Sequence, residues 1–164
     1  MNDEETFGTS WPLMSFEGAV RFARARVVAT LQIWGFYLGS SAEDIDLLVS
    51  ELVTNALTHA DGQPITVGLY ASRTERSMTI DVLDASPDVP ELRRADPDDE
   101  SGRGMFIVNA LTDGRWTTQR TPQGKRVLAT MPLPPQPLDE RRQRVLDCMV
   151  QAVRPKPYVV STTP

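Results

Sequence analysis

Cysteine is almost missing from this sequence: Cys148 is the only one in 164 residues. A lone cysteine excludes an internal disulfide framework and a zinc site built from cysteines. Long apolar runs are missing too, since none approaches the ~20 residues that a membrane span requires. The N-terminus has no basic region followed by an apolar stretch, so no signal peptide is readable. We therefore expect a cytoplasmic domain with no membrane partner.

Positive charge is also in short supply, because the formal net charge is -5 at pH 7. Proteins that hold nucleic acid by its phosphates need clustered Lys and Arg, so direct nucleic-acid binding is not expected. What is present is ordinary for a globular protein, with 40% hydrophobic and 24% charged residues. A chain of this length can bury a core without help from metals.

Two amphipathic helices are predicted in the first part of the chain. Apolar residues recur at spacings of three and four from Ser15 to Gly35 and again from about Ser41 to Ala60. Ser15 is a suitable N-cap for the first helix. Ser40 with Glu43 matches a capping box for the second helix, which is the most secure element in the sequence.

Strands and one short helix follow. Alternating apolar residues and turn signals predict strands at Ile65–Ala71 and Met78–Asp84, a helix from Gly104 to about Leu111, and a hairpin of Trp116–Arg120 with Arg126–Met131. The order α-α-β-β-α-β-β predicts an α/β (α+β) two-layer sandwich. Its sheet would be mixed but largely antiparallel, with helices on one face, rather than doubly wound and parallel.

The chain divides into three parts. We assign residues 1–14 to an N-terminal segment, 15–133 to the main domain, and 134–164 to a helical extension with a tail, because the proline-rich stretch at 133–137 is typical of a boundary. Within the domain, residues 85–101 form a long acidic loop, and loops of this length are usually functional or mobile.

A polar stripe lies on the second helix. Glu51, Asn55 and His59 are spaced i, i+4, i+8, which places them along one edge of the apolar arc. A carboxylate, an amide and an imidazole in that position suit the wall of a polar pocket. Glu51 and Asn55 offer oxygen ligands for Mg²⁺, or Glu51 serves as a general base. The alternative is an ordinary polar helix border, with His59 capping the helix end.

Two further features have weak signals of their own. Alternation places Asp84 on the same side of its strand as Ile80 and Val82, where a ligand amino group would satisfy its buried charge, unless the side chain only caps the next turn. Gly102-Arg103-Gly104 precedes a helix, where backbone N–H groups favour phosphate. A flexible hinge is the alternative there, and no P-loop motif is present.

The order and spacing of these motifs carry a resemblance. SELVTNALTHA, DVLDASP, ESGRGMFIVNAL and GKRVLATMP together resemble the Bergerat-type ATP-binding fold of gyrase B, heat-shock 90 chaperones and histidine kinases. The chain most resembles the anti-sigma-factor serine kinases, from about Ser15 to Pro132. That resemblance implies ATP and Mg²⁺ as cofactors, and a sigma factor and an anti-anti-sigma protein as partners. Members of this family commonly dimerise, so it also implies a homodimer.

The resemblance assigns roles to the helix stripe and the strand end. Glu51 would be the base that activates an incoming hydroxyl group. Asn55 would hold Mg²⁺ bridging the phosphates, and Asp84 would accept a hydrogen bond from the adenine amine. His59 falls among the nucleotide-binding positions, where the family often has a basic or polar residue, and its role is open.

The resemblance also assigns the glycine loop and the last strand. Gly102, Arg103 and Gly104, followed by Met105, would wrap the phosphates as part of a lid. Thr130 would lie near the adenine through a water molecule.

One departure from the family pattern affects the predicted activity. The family usually has glycines two and four residues after the aspartate, where this chain has Ser86 and Asp88, and side chains there would narrow the approach to the adenine. Two functions therefore stay open: a serine-protein kinase, favoured by the retained Glu51, or a non-catalytic ATP-binding interaction module.

Overall fold

The structure is a computed structural model that describes residues 6–85 and 103–136. The elements in chain order are β1 (Thr6–Leu13), α1 (Ala19–Ile33), α2 (Ser41–His59), β2 (Ile65–Ser72), β3 (Ser77–Asp84), α3 (Arg103–Leu111), β4 (Trp116–Thr121) and β5 (Gly124–Pro132). The predicted C-terminal helix, Gly102, Ser86 and Asp88 lie outside the described residues.

The five strands form one sheet in the order β1-β2-β3-β5-β4. Every neighbouring pair is antiparallel, so the prediction of a largely antiparallel two-layer α+β fold is confirmed, while the described strands contain none of the parallel pairs of a mixed sheet. Short turns make hairpins of β2–β3 and β4–β5. The connection through α3 brings β5, not β4, beside β3.

Strand β1 was not predicted from the sequence. Its inward side chains include Trp11 and Leu13, which are buried, and Phe7, which packs on Trp34 and Phe36. Pro12 within the strand is acceptable because, among the described strands, β1 pairs only with β2 and so forms an edge of the sheet. The strand was missed because its polar residues and this proline obscure the alternation of apolar and polar residues that identifies a strand.

Two predicted helix caps are wrong. Helix α1 begins at Ala19, not near Ser15, because Gly18 adopts a left-handed conformation with φ 88° that precedes the first helical turn. The Ser40 side chain makes no capping hydrogen bond to α2. Ser40 already has helical backbone angles, whereas an N-cap normally needs an extended backbone to reach the free N–H groups.

Helix α2 is the central support of the site. Its apolar side is buried in the core: Ile45, Leu48, Val49, Leu52, Val53 and Ala56. This burial fixes the rotation of the helix about its axis, and therefore the position of the polar residues beside the apolar stripe. Among the described helices, none combines the length and the hydropathy needed to cross a bilayer.

Candidate functional site

The polar stripe of α2 lies at the margin of the core. Glu51 and Asn55 are half-buried, beside the buried residues Leu52 and Ala56, whereas His59 in the last turn is exposed. The first two side chains are therefore positioned by the packing of α2. His59 is not held by the core in this way.

Helix α3 approaches α2 at Glu51. A Cβ atom built on Gly104 would lie only 2.5 Å from Oε2 of Glu51, so this close approach depends on a residue without a side chain. The contact brings the carboxylate to the first turn of α3, where free N–H groups favour anions. Burial raises the pKa of the Glu51 carboxyl group above its ordinary value.

The residues around Gly104 divide between surface and core. Arg103 begins α3 and its side chain is exposed, while Met105 is buried and anchors the helix on the core with Val108. The inward side of α3 is therefore held in place by the core, close to its N-terminal turn. Gly102, the remaining residue of the predicted glycine loop, is not among the residues described.

Asp84 is the last residue of β3 and its side chain is buried on the helix-covered face. Directly opposite in the β3–β5 register is Lys125. The Lys125 Nζ lies 3.4 Å from Oδ2 of Asp84, and each side chain is only 1% exposed. The part of the predicted nucleotide site that would bind adenine therefore contains a buried ion pair between two residues of this chain.

Glycine makes this pairing geometrically accessible. Gly124 has φ 139°, and a Cβ there would collide with the carbonyl oxygen of Asp84 and lie 2.7 Å from the Cα of Ala85. The start of β5 can therefore run close to the end of β3. This close backbone approach helps to keep Lys125 opposite Asp84.

Thr130 is not brought to Asp84. The two residues face opposite sides of the sheet, because Thr130 alternates with the buried residues Ala129 and Met131 of β5. The hydroxyl oxygens of Thr130 and Thr79 are 2.8 Å apart, within hydrogen-bonding distance. The structure thus places Glu51, Asn55, Asp84 and the first turn of α3 on the helix-covered side, and Thr130 on the other.

Sequence reasoning missed Lys125. Its only signal was its period-two spacing from Val127 and Ala129, which puts a lysine on an otherwise buried face. A second ion pair joins Arg126 and Asp81 on the opposite face, with Nε 2.8 Å from Oδ1. The hydrogen bond to Asp81 raises the pKa of Arg126 above its ordinary value.

The described residues offer a metal ion few protein ligands, which suits a Mg²⁺ ion that is already bound to a nucleotide. No group of three or more His, Cys, Asp and Glu side chains that could hold a metal occurs within residues 6–85 and 103–136. Mg²⁺ in nucleotide sites usually takes one or two protein oxygens and completes its shell with phosphates and water. The Glu51 carboxylate and the Asn55 amide are oxygen donors of that kind.

Comparisons with known proteins agree with this architecture. Residues 17–131 match the family described as the histidine kinase-like ATPase domain. The fold is similar to the crystal structure of the RsbU and RsbW domains of Rv1364c from Mycobacterium tuberculosis, with a TM-score of 0.57 and 19% sequence identity. That similarity covers 81% of this chain but 35% of the other. A sequence search found no match among proteins of curated function.

Proposed function

Because this chain belongs to the histidine kinase-like ATPase domain family, we propose that it is an ATP-binding regulatory protein of the partner-switching type. In this proposal it binds a sigma factor and phosphorylates an anti-anti-sigma partner on serine, using Mg²⁺. The resemblance of its motifs to anti-sigma-factor serine kinases supports the proposal. The structural similarity to a chain that contains an RsbW domain is consistent with it.

The contact between Glu51 and Gly104 is the observation that carries the kinase assignment. The Glu51 carboxylate on α2 lies so near the N-terminus of α3 that a Cβ atom on Gly104 would be 2.5 Å from its Oε2. A helix N-terminus is a favourable site for phosphate. Asn55, one helical turn further along, would hold the Mg²⁺ of the nucleotide. The glycine at position 104 permits this close approach, since any side chain there would meet the carboxylate.

In the proposed reaction, the serine hydroxyl oxygen of the partner forms a bond to the γ-phosphorus as the bond to the β–γ bridging oxygen breaks, which releases ADP. The Glu51 carboxylate would accept the hydroxyl proton. Its pKa is raised by burial, and a more basic carboxylate accepts a proton more readily. Mg²⁺ would neutralise phosphate charge, while the α3 N-terminus would orient the phosphates.

A second function is favoured by the ion pair where adenine would bind. Asp84 has a counterion within the chain, Lys125, so its burial does not require a nucleotide. This fits the non-catalytic alternative, an interaction module that would retain the fold and the partner surfaces while using ATP only as a structural ligand, or not at all. The two functions differ in whether Glu51 affects a rate.

The experiment measures Mg·ATP binding by calorimetry, and transfer of labelled γ-phosphate to the anti-anti-sigma proteins of the same organism. Glu51→Gln should keep most of the ATP affinity and reduce transfer by about 10²-fold or more. Asn55→Ala should weaken Mg²⁺-dependent binding as well as transfer.

Matched controls lie on the same helix. Glu43→Gln makes the same chemical change as Glu51→Gln at an exposed position in the first turn of α2, and Thr54→Ala changes the exposed neighbour of Asn55. Both should behave like the parent. Tight ATP binding without phosphorylation of any cognate partner would select the non-catalytic module, and parental transfer by Glu51→Gln would exclude Glu51 as the base.

A further inference from the structure

Lys125 is the largest fully buried side chain among the residues described. A lysine ammonium group is costly to remove from water unless it is paired and hydrogen-bonded. Its partner here is Asp84, at 3.4 Å, with both side chains 1% exposed. The pair also has little freedom, since the two residues face each other directly in the β3–β5 register.

The same carboxylate is the group that would read the adenine amine in the proposed function. The Asp84 carboxylate has almost no exposed surface, and its Oδ2 faces the Lys125 ammonium group. A ligand amine at that oxygen must therefore replace the ammonium group or share the oxygen with it. The ammonium group carries a full positive charge and the adenine amine is neutral, so at this buried site the carboxylate is attracted more strongly to Lys125. The free protein therefore favours the internal partner.

We propose that Lys125 is a specificity-determining residue that competes with the nucleotide base for Asp84. This inference rests on the proposed ATP-binding function and adds a regulatory property to it. Binding of adenine must displace a buried ammonium group, so the affinity of the parent protein for ATP is reduced by the strength of the Asp84–Lys125 pair. Removal of the ammonium group makes the carboxylate available.

The test is calorimetric titration of Mg·ATP into the parent protein and Lys125→Met. We expect Lys125→Met to bind ATP on the order of tenfold or more tightly, the fold-change that corresponds to one hydrogen bond to a charged group. Inosine triphosphate has an oxygen in place of the adenine amine, so its affinity should not rise. This selectivity would not follow from a purely structural role.

Two controls separate the pair from general effects of the substitution. Arg126→Met breaks a neighbouring ion pair with Asp81 on the opposite face of the sheet, and should leave ATP affinity unchanged. Asp84→Ala/Lys125→Met removes both charges, and should lose the gain in affinity because Lys125 acts through Asp84.

Folding of each variant is checked by circular dichroism and thermal unfolding. Lys125→Met leaves Asp84 buried without its counterion, so Lys125→Gln serves as the second variant because a neutral amide can still donate to the carboxylate. Each of these two Lys125 variants that is correctly folded should bind ATP more tightly than the parent protein.

The outcomes distinguish this inference from the proposed function. If the parent binds ATP and the folded Lys125 variants bind it no more tightly, the competition is refuted and the proposed function stands. If the parent and all variants fail to bind ATP, both are refuted. If only the Lys125 variants bind, the competition is supported, and the parent holds a latent site without the proposed kinase activity.

Discussion

Substitution of Gly104 by alanine tests whether the position of Glu51, and not only its charge, matters. The added Cβ would lie 2.5 Å from the Glu51 Oε2, closer than two such atoms can approach. The carboxylate is the far end of a flexible side chain, so it can move away while both helices stay in place. Gly104→Ala should therefore displace Glu51 from the α3 N-terminus without unfolding the domain.

The expected effect on stability is small because two terms oppose each other. Replacement of glycine by alanine within a helix stabilises it by up to about 1 kcal/mol. A strained Glu51 rotamer would cost about 0.5–1.5 kcal/mol. The net change in the free energy of unfolding should therefore stay within about 1 kcal/mol of zero, while phosphoryl transfer falls as it does in Glu51→Gln.

Urea denaturation and the labelled-phosphate assay measure the two quantities on the same preparation. Glu51→Asp combined with Gly104→Ala shortens the acid by one methylene group, which makes room for the new methyl group, and should recover part of the rate lost in Gly104→Ala. A loss of several kcal/mol in stability would show that the carboxylate is rigidly held. Transfer at the parental rate would refute the claim that its position matters.

Three further predictions concern stability. Burial raises the folded-state pKa of Glu51, so ionisation of its carboxyl group destabilises the fold as the pH rises through that pKa. In unfolding titrations, Glu51→Gln should therefore be more stable than the parent at pH 7. This difference in stability should shrink as the pH falls toward 4.5. The Arg73 guanidinium lies 4.8 Å from the centre of the Phe36 ring and donates a hydrogen bond to the Trp34 carbonyl oxygen at 2.6 Å. Arg73→Ala should therefore lower the free energy of unfolding by about 1–2 kcal/mol. An unchanged free energy of unfolding would refute a stabilising role for Arg73. The Gln136 side chain accepts a hydrogen bond from the Tyr37 backbone N–H at 2.8 Å and donates one to the Tyr37 carbonyl oxygen at 2.9 Å. Gln136→Ala should therefore lower the free energy of unfolding, measured by thermal unfolding, by about 1 kcal/mol without altering ATP binding. An altered ATP affinity would contradict this prediction.

Most of the regular structure was readable from the sequence. Helix α2 and strands β2 and β3 were predicted to within one residue at each end, because their apolar periodicity is local and uninterrupted. Strand β1 was missed, because an edge strand tolerates Pro12 and polar residues that obscure alternation. The wrong start of α1 came from treating Ser15 as a cap where Gly18 turns the chain.

The sequence by itself determined the polar stripe of α2, since helical spacing alone puts Glu51 and Asn55 at the border of an apolar face. It also indicated that Asp84 points inward, since strand alternation is equally local. Only the tertiary structure decided which group meets that carboxylate. Lys125 reaches Asp84 through the pairing of β3 with β5, a contact between strands distant in sequence, and local periodicity contains no information about such pairing.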